Sequence, residues 1–225
     1  MNSQWQRIVL WDEEDNTVSL GLGEVQKEDV YWQFNSKCEL FYHWCLVDAP
    51  LERQKIAARN VLLAGGGDGL AARNLLRTPG VQKLTVVELD PEMVRLTRGE
   101  YPEEQALYYL SQASFLDPRV DIVVNDAEKF MKLGELHRDS KYDMVVLDFP
   151  DPDDNTINLY TPSFYKAVRK RMRPNALLSL QGDMDTQSRT VDIGRNLEAA
   201  GFKGTHMESR DMEPMGRGFF FSALA

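Results

Sequence analysis

From residue 61 onward, short apolar runs recur, each ending in small or acidic residues and each followed by a segment with helical spacing. Val61-Leu62-Leu63-Ala64 runs into glycines and then Leu70 to Arg77, and Leu84-Thr85-Val86-Val87 runs into Pro91 to Arg98. Val120 to Val124 precedes a helical pattern around Asp126 to Leu133, and Met144-Val145-Val146-Leu147 precedes another at Pro162 to Arg171. Ala176 to Leu180 precedes a helix near Ile193 to Ala200, and two final strands are expected near Thr205 and at Gly218 to Ala223. Strands apolar at every position have both faces covered, and parallel neighbours need helical crossovers. The alternation therefore predicts an α/β domain with a mostly parallel, doubly wound sheet.

Residues 1–50 read differently, as a β-rich N-terminal segment. Trp5 to Trp11 is strand-like, Asp12 to Asn16 is a polar turn that includes Glu13-Glu14-Asp15, and Val18 to Leu22 is a hairpin partner. A helical stretch, Glu39 to Val47, is expected to stop at Ala49-Pro50. The division is thus residues 1–50 and 51–225. A chain of 225 residues, 43% of them apolar, supplies one sizeable core with a small appendage.

Charge narrows the partners. A net charge of −9 argues against nucleic acid, whose phosphates need clustered Lys and Arg, and suits cationic small molecules. No apolar run reaches the length of a membrane span, and the N-terminus has no basic-then-apolar leader pattern. Cys38 and Cys45 lack zinc-site spacing and read as reduced thiols of a cytoplasmic protein.

In such a sheet, ligands sit beyond the carboxyl ends of the strands. The residues there are Gly65-Gly66-Gly67-Asp68-Gly69, Glu88-Leu89-Asp90, Asn125-Asp126-Ala127 and Asp148-Phe149-Pro150-Asp151-Pro152. Glycines between a strand and a helix allow close backbone approach to a nucleotide. Glu88, at the end of the second strand, is placed to accept hydrogen bonds from ribose hydroxyls. Asp126 with Ala127 would lie over an adenine, although a helix N-cap explains Asp126 equally well. Four acidic strand ends in one crevice are costly unless a cation binds there.

Asp68 separates two ligands. Facing the methionine end of S-adenosylmethionine it would repel a carboxylate; facing the decarboxylated form it would be the counter-ion of the remaining ammonium. Asp148 and Asp151 suit an amine nucleophile, which must lose a proton before attack. Magnesium would also fit carboxylates, but a cationic substrate accounts for the same charge, and no metal is expected. His43 is either a proton shuttle or a hydrogen-bonded core histidine, and His137 and His206 read as structural.

These motifs in this order, with Leu159-Tyr160, Phe164-Tyr165, Gln33-Phe34-Asn35-Ser36 and Tyr42-His43, resemble the spermidine synthase (polyamine aminopropyltransferase) family. The resemblance implies a Rossmann-like domain behind a small β-rich one, working as a homodimer or homotetramer, with decarboxylated S-adenosylmethionine as co-substrate and no permanently bound cofactor. It implies Asp148 as general base with Asp151 and Tyr42 in the catalytic set. Gln33, Gly65, Gly67, Asp68, Glu88, Asp126 and Ala127 would bind the co-substrate, and His43, Asp151 and Tyr160 the amine. Cys38 stands where the family has Asp and Trp44 where it has Glu, which leaves the identity of the amine open. A methyltransferase of the same fold and a non-catalytic binding homologue are the competing readings.

Overall fold

The structure is a computed structural model that describes residues 1–12, 17–26, 29–132, 141–152, 156–183 and 187–225. Most of the expected turn at Asp12 to Asn16, with Glu13-Glu14-Asp15, lies outside them, as does His137. Three strands, β1 (Arg7–Asp12), β2 (Val18–Gly23) and β3 (Tyr31–Asn35), form an antiparallel sheet in chain order. Ile8, Leu20 and Phe34 point from it onto Leu70, Met93, Leu96 and Leu107 of the larger unit.

A helical run follows: α1 (Glu39–His43), a π-helical turn (Trp44–Asp48) and α2 (Ala49–Gln54). The expected stop at Pro50 does not occur. A proline removes one N–H, and in the first turn of a helix that N–H has little to bond. Here the carbonyl of Leu46, four residues before Pro50, takes its hydrogen bond from the Ser179 hydroxyl at 2.6 Å instead. The run ends at Lys55, which adopts a left-handed conformation (φ 52°).

The larger sheet is built from β4 (Asn60–Gly65), β5 (Lys83–Glu88), β6 (Val120–Val124), β7 (Tyr142–Asp148), β8 (Met172–Asp183), β9 (Lys203–Asp211) and β10 (Arg217–Leu224). Among the described residues its order is β6-β5-β4-β7-β8-β10-β9. Strands β4 to β8 pair in parallel; β10 is antiparallel to both β8 and β9. The connecting helices are α3 (Leu70–Arg77), α4 (Pro91–Thr97), α5 (Ala106–Leu110), α6 (Ala127–Lys132), α7 (Pro162–Lys170) and α8 (Gln187–Ala199).

Alternate residues of each strand serve alternate faces, as the pleat requires. Leu62 and Ala64 of β4 join Val145, Leu147 and Leu178 under Phe130, Phe164, Val168 and Leu197 of α6, α7 and α8. Val61 and Leu63 face the other way, against Leu46 and Leu51 of the helical run, Ala71 and Leu75 of α3 and Val94 of α4. The uniformly apolar strands are thus explained, and the fold is the expected Rossmann-like α/β type. Chain direction across the sheet reverses between β4 and β7, so the crevice for a ligand opens at their carboxyl ends. Gly65 and Asp148 are register partners at that point.

Candidate active site

The glycine loop is shaped by what it must approach. Gly65 and Gly66 have φ of +81° and +68°, and a Cβ on Gly65 would stand 2.1 Å from the Asp148 carbonyl oxygen. The Gly66 N–H donates to that same oxygen at 3.1 Å. The loop is therefore pressed onto the end of β7, which fixes where the Asp148 carboxylate stands. One step further, a Cβ on Gly67 would meet Glu88 Oε2 at 2.7 Å. Glu88 Oε1 accepts from the Asp90 N–H at 2.8 Å, and Asp90 caps α4 through Glu92 N–H at 3.0 Å while also accepting from the Gln6 amide at 2.9 Å. Burial raises the Glu88 carboxyl to about 7.

Tyr42, His43, Asp68 and Asp148 converge. One ligating atom each from His43, Asp68 and Asp148 lies within 4.8 Å of the others. The Tyr42 hydroxyl donates to Asp148 Oδ1 at 2.9 Å, and its ring meets His43 edge-on at 4.9 Å. Asp68 spends one oxygen on the Leu70 N–H at 2.9 Å, a local turn that leads into α3 while the side chain stays beside His43 and Asp148. Burial, reinforced by neighbouring Asp68, raises Asp148 to about 6, and burial raises Asp68 too. Tyr42 is pushed well above its ordinary value, first by burial and then by Asp148, so it remains a hydrogen-bond donor.

The other expected residues are placed as follows. The Asp151 carboxylate accepts a hydrogen bond from the Gln181 side-chain amide. Tyr160 is buried, and its hydroxyl donates to the Pro150 carbonyl at 2.6 Å, tying the loop after β7 to the turn before α7. Asp126 accepts from Lys129 N–H at 2.8 Å, the N-cap geometry, and Ala127 begins α6 partly buried against the core. Gln33 contacts its own strand, Nε2 to Tyr31 carbonyl at 3.4 Å, and does not join the carboxylate network. His206 is exposed on β9.

Sequence reasoning missed three residues. Gln181 is 3% exposed, and its Oε1 has no hydrogen-bond partner among the described residues. It follows an apolar run at the carboxyl end of β8, so the rule that found the acidic strand ends would have found it. Glu39 accepts two hydrogen bonds from the Arg73 guanidinium, at 3.0 and 2.8 Å, and both are buried. The four-residue step from Glu39 to His43 is a readable helical pairing; the partner Arg73 on another helix left no local trace. The two departures turn elsewhere: the Cys38 thiol donates to the Asn35 carbonyl at 3.5 Å, and Trp44 stacks on Phe41 with centroids 5.9 Å apart.

Residues 39–200 match the model of the spermine/spermidine synthase domain. The chain belongs to the spermine/spermidine synthase family. Within the family it is 39% identical over 179 residues to polyamine aminopropyltransferase 1 of Streptomyces coelicolor, covering 78% of this chain and 32% of that protein. It is 32% identical over 191 residues to the polyamine aminopropyltransferase of Oceanobacillus iheyensis, covering 84% and 34% respectively. The chain thus spans about a third of the length of these family relatives. Spermidine synthase from Thermotoga maritima has the same fold, with a TM-score of 0.79 at 21% identity, covering all of this chain and 71% of that one. A spermidine synthase in complex with the transition-state analogue AdoDATO superposes equally well at 23% identity, covering 72% of that chain.

Proposed function

We propose that this chain transfers the aminopropyl group of decarboxylated S-adenosylmethionine to putrescine or a related amine and releases methylthioadenosine. The observation that carries the reading is the meeting of Asp68 and Asp148 in one half-buried crevice, at the turn of the sheet where a nucleoside would lie. Two carboxylates there are expensive to keep empty and well suited to two cationic guests.

In this reading Glu88 accepts from the ribose hydroxyls, and Gly67, having no Cβ, leaves its carboxylate reachable. Asp68 pairs with the ammonium of the aminopropyl arm. Asp148 takes the proton of the incoming ammonium, with Tyr42 holding the carboxylate in place. The freed nitrogen lone pair attacks the carbon next to the sulfonium; the C–N bond forms as the C–S bond breaks, and the bonding pair leaves on sulfur as a neutral thioether. Asp151, fixed by Gln181, receives the far end of the amine, and the vacant Gln181 Oε1 is a ready acceptor for an N–H there. Most of the work is positioning two like charges together without repulsion.

The assembly reading rests on the family resemblance alone. A homodimer or homotetramer in the cytoplasm is the assembly we propose, measured by light scattering on the purified chain. No helix among the described residues is long and apolar enough to cross a membrane. The test of the activity is to incubate the protein with decarboxylated S-adenosylmethionine and a panel of di- and polyamines, and to identify products by mass. Binding of intact S-adenosylmethionine in preference to its decarboxylated form, with methyl transfer, would overturn the reading.

A further inference from the structure

The buried chain Arg73–Glu39–His43 leads from the core to the carboxylates but is not used by the proposed reaction. His43 Nδ1 lies 2.7 Å from the Glu39 carbonyl oxygen and 3.2 Å from Glu39 Oε2. Both are acceptors, so Nδ1 carries a proton, and Nε2 is the nitrogen left for Asp68 and Asp148. Arg73 in turn grips both Glu39 oxygens and the Leu110 carbonyl (2.9 Å), and Asn74 Oδ1 accepts from its Nε and Nη2. Glu39, His43 and Arg73 are 3%, 1% and 4% exposed, so none of this geometry is loosened by water.

Resting on the function proposed above, we infer that Glu39 and Arg73 are positioning residues that keep His43 as a stand-in cation. With the crevice empty its imidazolium faces Asp68 and Asp148; an arriving ammonium takes over that role and the Nε2 proton leaves to solvent. Amine binding is then linked to the loss of one proton from His43.

The charged groups facing His43 are Glu39 on its own helix, Asp68 from the loop before α3 and Asp148 from the end of β7, with Arg73 behind Glu39. Burial depresses the imidazole's proton affinity, but the hydrogen bond that His43 donates to Glu39 and the charges of Asp68, Asp148 and Glu39 together raise it above the ordinary value. An ammonium between the two carboxylates cancels part of that support. It lowers the pH at which His43 releases its proton. Below that pH, amine and proton compete, and one linked proton weakens apparent amine affinity by about tenfold per pH unit.

The test is a ring-nitrogen NMR titration of the whole chain, which has three histidines, with His43→Gln assigning the signal. The neutral ring is expected as the Nδ1–H form, and saturating putrescine is expected to move its titration to lower pH. Glu39→Gln keeps an acceptor for Nδ1 but removes the charge, so it too moves the titration down. In kinetics, log KM for the amine should fall by about one per pH unit as pH rises below the His43 titration, and His43→Gln should remove that dependence, with a smaller effect on kcat. An Nε2–H tautomer, a titration indifferent to putrescine, or a Glu39→Gln variant that loses melting temperature alone would overturn the inference. If Glu39→Gln does not fold, the wild-type titration with and without putrescine decides by itself. Turnover without displacement of the His43 proton sinks only this inference; displacement without turnover sinks only the proposed function.

Discussion

Asp148 owes its position to a backbone contact and its reactivity to its surroundings. The side chain is an ordinary carboxyl; the Gly65–Gly66 approach places it, and burial beside Asp68 brings it to about 6, within reach of a proton taken near neutral pH. Asp148→Asn should therefore lower turnover by roughly 10²–10⁴-fold, the usual worth of a positioned base. Methylthioadenosine binding by the variant, measured calorimetrically, should be unchanged, and retention of most activity would refute the assignment of the base. Gly67→Ala makes the complementary prediction. Its Cβ would stand 2.7 Å from the Glu88 carboxylate, so nucleoside binding should weaken by at least about tenfold, or ~1.4 kcal/mol. These residues were legible because each follows an apolar run. The hydrogen bond from Tyr160, a residue named through the resemblance alone, to the Pro150 carbonyl is made across a loop that pattern reading does not reach.

At the scale of elements, the central strands β4, β5 and β7 were readable because both faces are covered and an apolar run marks each one, whereas the polar edge strand β9 carries no such run. The helical run was read from Glu39 to Val47 but not its continuation to Gln54, because the rule that proline ends a helix assumes the orphaned carbonyl has no other partner. Ser179, 133 residues away in the chain, supplies it. Ser179→Ala should leave the Leu46 carbonyl buried and unpaired and cost about 1–3 kcal/mol in urea unfolding, with no change in the catalytic pH profile. The Arg73–Glu39 pair ties α3 to α1. Arg73→Leu should cost about 3–5 kcal/mol, because a buried glutamate would lose its partner. A loss much below 1 kcal/mol in chemical denaturation would show that the pair is not holding these helices together.

For the whole molecule, the crevice sets how stability follows pH. Asp148 and Glu88 are raised from ordinary values of 3.8 and 4.5 to about 6 and about 7. The folded chain therefore binds more protons than the unfolded one between those limits, and stability falls as pH rises through them. His43, raised above 6.5, acts in the same direction at the upper end. Glu39 and Asp117 are held below their usual range, Glu39 by His43 and Arg73 against its burial and Asp117 by Arg119, so they take stability away only as the solution becomes acidic. The ligand-free melting temperature should peak near pH 5 and decline toward pH 8, and a bound amine should flatten that decline. A melting temperature that climbs steadily from pH 5 to pH 8 would contradict this account of the crevice.

One peptide bond joins the two halves of the cleft. The carbonyl of Asp148 is held by Gly66, whose neighbour Gly67 lies against the carboxylate assigned to the ribose. A shift of the loop on the sugar side must drag the proton acceptor with it, so the grip on one guest and the chemistry done to the other are not separately adjustable. Variants selected for a new nucleoside should lose rate even when every side chain around the amine is left alone.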